Sequence, residues 1–276
     1  MLAKILSERH GFEAVVLFAI DPQNGQIDPE YTKNIPGLEQ LKDADLVVFA
    51  TRFRDLPDEQ MKYIDNYLKE GKPVIGLRTA THAFNFPEGS TSAYKQYGYN
   101  DKSKSWSGGF GRVVLGETWI NHHGDHGKEG TRALINGIEA ANPVLRGVSD
   151  IWVPSDVYGV ANPLEGSTIL LFGQPTHGME ATTAANIRKS LMPVAWIRNY
   201  QLPGGKKGRA YTTTMGASVD LASADLRRLI INESYQALGF EEAITEDLNV
   251  EYIGEFNPSM FGFGKHKKGL YPKDYQ

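Results

Sequence analysis

One stretch constrains the fold more than any other: GKPVIGLRTATHAF, from Gly71 to Phe84. Gly71 is placed to cap a preceding helix, and Pro73 can open a strand because its missing N–H costs nothing there. Val74, Ile75, Gly76 and Leu77 form an apolar run without alternation, as expected of a short strand covered on both faces. The run then gives way to Arg-Thr-Ala-Thr-His, too polar to continue a core strand. The chain therefore turns there, as at the strand-to-helix elbows that hold nucleophiles in many α/β enzymes. Ligands bind at the carboxyl ends of strands in open α/β sheets, so Arg78, Thr79 and His82 are expected to face a site. With Arg78 at the elbow centre and no Cys in the chain, a cysteine-dependent amidotransferase or protease is excluded, together with disulfides and zinc–thiolate sites.

Met1 to Glu8 reads as an amphipathic helix stopped at His10-Gly11, followed by a strand from Ala14 to Ile20. A parallel sheet normally enters its first crossover helix from a strand, so a first strand is expected upstream of Met1. After the turn-rich loop Asp21 to Glu30 come a short segment at Gly37 to Leu41 and a strand at Leu46 to Ala50. Arg52, Phe53, Arg54 and Asp55 stand at the carboxyl end of that strand. Pro57-Asp58-Glu59 starts a helix whose buried stripe is Met61, Ile64 and Leu68. Residues 87–111 are an aromatic, Gly/Ser-rich excursion long enough to be functional, and they read as a lid or a subunit contact. Further strands are expected at Arg112–Leu115, Ile151–Pro154 and Thr168–Phe172. A hairpin pairs Pro193–Arg198 with Arg209–Thr214 across Gly204-Gly205, and a last helix spans Ser223 to Leu238 with Gly239 as its stop. The expected fold is α/β: a flavodoxin-like three-layer sandwich with a mostly parallel central sheet. It forms a single domain over residues 1–256, with a C-terminal arm at 257–276.

A formal charge of −4 gives no electrostatic reason to expect nucleic acid. No run approaches the ~20 apolar residues of a membrane span, and no targeting segment precedes the first helix, so the compartment stays undefined. The excursion and the aromatic tail offer more apolar surface than a monomer needs, which predicts a homo-oligomer.

The densest chemical cluster is His122, His123, Asp125 and His126, interleaved with Gly124 and Gly127. Imidazoles this close can hold a divalent metal through His122, His123 and His126, the one cofactor the residues suit. Alternatively one of them is a site acid or base while the others bond loop backbone, since the spacing is not the i, i+4 pattern of a helical zinc motif. Arg52 and Arg78, at neighbouring strand ends, suit a carboxylate, phosphate or enediolate-like charge; the plain alternative is an ion pair with Asp55, Glu117 or Asp156. His82 reads as a general base or as a cap on the turn. Asp156 can orient a His or accept from sugar hydroxyls. Tyr158, Trp119 and Trp106 offer sugar-stacking faces or ordinary core, and His177 follows a strand and can line the pocket. Ser218 and Asp220 read as caps for the last helix.

The order of these motifs resembles the trehalose-utilisation (ThuA-like) family, over most of Met1 to Phe240. GLRTAT at Gly76–Thr81 is similar to the family's elbow, with Arg78 where the family usually has His and Thr79 where it has Ser. ANPVLRGVSDIWVPSDVY at Ala141–Tyr158 places Asp156 and Tyr158 on its acidic and aromatic positions. PVAWIRNY followed by GRAYTTTMG resembles its closing hairpin, with Ala217 where a His is common. The resemblance implies a class I glutamine amidotransferase-like scaffold and metabolism of a sugar or keto-sugar ligand. Three functions follow as expectations. The first is acid/base chemistry on a sugar with His122 or His123 moving protons, Asp156 orienting and Arg78 stabilising charge. The second is a non-catalytic sugar-binding or assembly module. The third is a metal-dependent hydrolase built on the His loop.

Overall fold

The computed structural model of the chain describes residues 1–275. Its elements in order are α1 (Leu2–His10), β1 (Val47–Phe49), α2 (Asp58–Lys69), β2 (Val74–Leu77), β3 (Asn121–His122), β4 (Thr131–Ile135), β5 (Ile151–Val153), β6 (Tyr158–Gly159), β7 (Ser167–Pro175), β8 (Met192–Gln201), β9 (Lys207–Thr213) and α3 (Ala224–Ala237). Seven strands form the central sheet in the order β1-β2-β9-β8-β7-β4-β5, and β3 and β6 make a separate two-stranded ribbon.

The fold is α/β and flavodoxin-like in its layering. Along β2, Val74 packs with α2 residues Met61, Ile64 and Leu68 on one face, while Ile75 and Leu77 pack with α3 residues Leu226, Leu229 and Ile230 on the other. That is why the run does not alternate. The expectation of a mostly parallel sheet needs correction: β1, β2 and β9 run parallel, but β9, β8, β7, β4 and β5 are antiparallel in succession. Connection length decides two of these pairings, β1–β2 and β8–β9. Ala50 to Pro73 carries α2 as a crossover between β1 and β2, whereas β8 and β9 are joined by a tight turn that permits only antiparallel pairing.

Two further expectations fail, and the excursion at 87–111 shows where its rings pack. Residues 14–19 form no strand, and Val15 and Val16 are exposed, because the segment's backbone pairs irregularly with the loop at Asp28 and Asn34 rather than with the sheet. Gly111–Leu115 is a π-helical turn, not a strand: Val114 and Leu115 are buried, and the Leu115 carbonyl accepts from Trp196 Nε1 and Thr212 Oγ1 instead of from a neighbouring strand. The excursion at 87–111 turns its aromatic residues inward. Tyr97, Trp106 and Phe110 join the α2 core, and the Tyr97 hydroxyl donates to Asp65 Oδ1 at 2.7 Å. It is a wall of the domain, fixed against the elbow at Gly111, where a Cβ would lie 2.1 Å from the Thr81 carbonyl oxygen.

The helices form as their caps dictate. Gly11 ends α1 in the left-handed region, Gly71 does the same after α2, and the Ser223 hydroxyl accepts from Leu226 N–H at the start of α3. The arm lies along the body: Ile27 N–H donates to the Leu270 carbonyl at 2.8 Å, and the Phe18 and Tyr275 rings meet at 5.5 Å. Among the described residues, no helix is long and apolar enough to cross a membrane.

Candidate functional site

Two strained residues mark the carboxyl ends of adjacent parallel strands. Arg78, after β2, has φ 44°, and Phe53, after β1, has φ 54°. For non-glycine residues this costs on the order of 1–3 kcal/mol and persists only where surrounding contacts over-determine it. Here they do: Arg78 N–H donates to the Met215 carbonyl, and Phe53 N–H to the His82 carbonyl, both at 3.0 Å.

The Arg78 side chain is buried and its charge is met by Asp156. Its guanidinium donates to the Asp156 and Thr214 carbonyls at 2.6 and 2.9 Å and to Asp156 Oδ1 at 2.7 Å, and it lies 3.9 Å from the Tyr158 ring centroid. Asp156, also buried, collects two more donors: His126 Nδ1 at 2.9 Å on Oδ1 and His122 Nδ1 at 2.6 Å on Oδ2. Burial alone would raise the Asp156 pKa, but the Arg78 charge and the two imidazole hydrogen bonds outweigh it, and the group sits below its ordinary value. An ionised carboxylate only accepts, so both imidazoles donate from Nδ1 and keep Nε2 for other work.

The loop bearing the imidazoles is itself anchored. Pairing of β3 with β6 sets His122 opposite Tyr158. The buried Glu129 carboxylate accepts from Asp125 N–H, Asn186 Nδ2 and Lys189 Nζ, closing the loop onto residues 186–189. Asp220 braces the other side: it accepts from Gly216, Ala217 and Ser155 N–H groups, and burial pushes its pKa up.

Aromatic rings gather at the open side of this network. Trp119 lies 5.5 Å from His122, 5.6 Å from His82 and 6.4 Å from Tyr158, while Phe53 lies 5.0 Å from His82 and 5.2 Å from Tyr99. The Trp119 indole N–H is buried without a partner among the described residues. His82 is held at about 3, first by burial and then by the charges of Arg52, Arg78 and His122. The single Thr81 hydroxyl proton goes to the Arg78 carbonyl, so the hydroxyl accepts from His82 Nδ1 and leaves His82 Nε2 unprotonated. Burial likewise raises the Tyr158 pKa despite Arg78 beside it, keeping the phenol protonated.

A histidine titration by NMR is expected to find His82 neutral from about pH 5 to 8. The unfolded chain takes up that proton near 6.5 and the folded chain only near 3, so stability is fullest above 6.5 and falls as pH drops through that window. A His82 midpoint near 6.5 would contradict the packing described.

The structure thus brings together Arg78, Asp156, His122, His126, His82, Trp119 and Tyr158, with Thr79 half-buried beside Arg78. His123 stands apart: its Nε2 donates to the Ser190 carbonyl at 2.8 Å, which removes it from the metal-ligand set expected of the loop. His177 is exposed, its backbone N–H donates to the Ala184 carbonyl, and among the described residues it does not join the His122–His126–Asp156 group. Trp106 is core, its ring tilted against Tyr97 with centroids 4.6 Å apart. Arg52 is half-buried among the rings of Phe53, Phe261 and Phe263 at 5.5, 4.3 and 4.7 Å. Sequence reasoning missed Phe53 and Tyr99 as site walls and Asp220 as a brace. Phe53 had a signal, its place beside Arg52 at a strand end; Tyr99, in a loop, had none.

A family model described as ThuA, trehalose utilisation, matches residues 12–233. The chain belongs to the trehalose-utilisation family. A ThuA-like protein from Parabacteroides merdae ATCC 43184 is similar in structure, with TM-score 0.50 and 17% identity over 86% of this chain and 84% of that one. A ThuA-like protein from Bacteroides uniformis ATCC 8492 gives TM-score 0.46 and 11% identity over 80% and 79%. Among curated proteins, no sequence matches the chain. In this ThuA chain the elbow, the His loop and Asp156 all lie inside the matched span, while the C-terminal arm lies beyond it.

Proposed function

We propose that this ThuA-family protein is an enzyme acting on a sugar or keto-sugar derivative by proton transfer, without a cysteine nucleophile. The observation that carries the reading is the 2.6 Å contact of His122 Nδ1 with a buried, ionised Asp156, beside the rings of Trp119 and Tyr158. In this reading His122 Nε2 takes a proton from a sugar hydroxyl or from a carbon next to a carbonyl. The imidazolium that forms is stabilised by Asp156, which does not itself become protonated. Arg78 acts through Asp156, keeping it ionised and still. The aromatic faces suit the C–H faces of a pyranose, and the orphan Trp119 N–H and the neutral His82 suit hydroxyls. Loss of turnover in His122→Ala is the test.

A second reading draws on a different feature. His122 and His126 share Asp156, and their rings lie 4.7 Å apart, an arrangement in which a carboxylate can orient two imidazoles toward a divalent metal. No further His, Asp or Glu joins these three among the described residues, so solvent or substrate would complete the coordination. Protein prepared without a tag is expected to bind zinc stoichiometrically if this holds, with binding lost in His126→Ala. Absence of bound metal, with turnover unaffected by a chelator, would rule it out.

A further inference from the structure

We infer that Arg52, together with Phe261 and Phe263 of the C-terminal arm, forms a subsite for the anionic group of a sugar, a carboxylate or a phosphate. The inference rests on the sugar reading above and adds the charge of the ligand.

Of the two site arginines, Arg78 has its charge met by Asp156. Arg52 does not. Among the described residues its guanidinium makes no hydrogen bond or ion pair; it is half-buried, and desolvation works against its charge. Its neighbours are rings, which stabilise a cation through their faces but offer no acceptor to its five N–H donors. Glu30 lies within electrostatic reach, but its Oε1 accepts from Gly264 N–H and thereby ties the arm down. A partly desolvated, unmatched guanidinium beside a sugar-stacking surface is suited to an oxyanion that arrives with the ligand. The position fits: the Phe53 ring lies 5.5 Å from the Arg52 guanidinium and 5.0 Å from the His82 ring, so the subsite adjoins the cluster.

The arm is built to hold this place. Ser218 Oγ donates to the Ser259 carbonyl at 3.1 Å, Gly264 N–H donates to Glu30 Oε1, and Gly269 N–H donates to Gln26 Oε1 at 3.1 Å. Between these ties Phe261 and Phe263 pack edge to face at 5.0 Å yet remain 51% and 72% exposed. Large apolar side chains held at that exposure against a cation have a use in lining a ligand subsite. Arg52 lies inside the family-matched span, and Phe261 and Phe263 lie beyond it.

The test is a binding titration of the full chain with four probes: glucuronate, glucose 6-phosphate, glucose and malonate. At least one sugar anion is expected to bind ~10-fold or more tightly than glucose, an advantage lost in Arg52→Gln and partly kept in Arg52→Lys. Phe261→Ala/Phe263→Ala, at exposed positions that leave folding intact, is expected to weaken that anion about 3-fold while leaving glucose unchanged. Equal affinity for glucose and both sugar anions, no binding of any probe, or anion binding indifferent to Arg52→Gln overturns the subsite. An unchanged double Phe variant removes the arm from it. Malonate binding as tightly as the sugar anions, through Arg52, would keep the anion subsite and defeat the sugar reading.

Discussion

Asp156→Ala is expected to cost about 3–5 kcal/mol of folding stability, because it leaves the buried Arg78 guanidinium without its counter-charge. The loss is larger than for an exposed ion pair, since the side chains of Arg78 and Asp156 are only 8% and 1% exposed and water cannot replace the carboxylate. Two imidazoles lose their acceptor in the same step, so His122 and His126 should become mobile together. Asp156→Asn cannot rescue this: an amide presents a donor where the carboxylate has only acceptors, and three side-chain donors converge there. Replacing both partners, in Arg78→Met/Asp156→Leu, should be less destabilising than the sum of the singles. Denaturant midpoints of the wild type, Arg78→Met, Asp156→Leu and the double variant provide the measurement. Strict additivity would show that the pair is not the brace described.

What could be read beforehand follows from the range over which each feature is encoded. The α2 stripe, the stops at Gly11, Gly71 and Gly239, and the elbow at Arg78 are local, set by side-chain period and by backbone freedom at single positions. The β8–β9 hairpin was equally legible, because the turn at Gly204-Gly205 brings its two strands together. Sheet direction beyond β9 was not, since the pairing of β7 with β4 depends on contacts some forty residues apart. Among site residues, Asp156 and His122 were visible as types suited to the chemistry, but their union depends on the β3–β6 ribbon, whose strands are only two residues long and carry no periodic signal. His123 looked equivalent to His122 in sequence. The strand ends between them: His122, the last residue of β3, donates to Asp156, and His123, in the bend that follows, reaches the Ser190 carbonyl. Arg52 and Arg78 looked like a matched pair, and only the tertiary contacts show one engaged by a carboxylate and the other ringed by Phe side chains from opposite ends of the chain.

Replacing His122 by Ala is the change expected to affect activity most. Removing the partly exposed His122 takes one donor from Asp156, which keeps Arg78 and His126, and deletes the group whose Nε2 makes no hydrogen bond among the described residues. General acid–base groups contribute about 10²- to 10⁴-fold to rate, and the loss should appear in kcat more than in KM, because Trp119 and Tyr158 remain to bind the ligand. His123→Ala, which removes only a bond to a backbone carbonyl, serves as the neighbouring control and should retain activity within about 3-fold. The decisive measurement is a multiple-turnover assay of wild type and His122→Ala against a panel of disaccharides and their keto derivatives. The wild type is expected to form product, and kcat is expected to fall ~100-fold or more in His122→Ala. Equal rates in the two proteins, or no turnover of any sugar by the wild type, would contradict it.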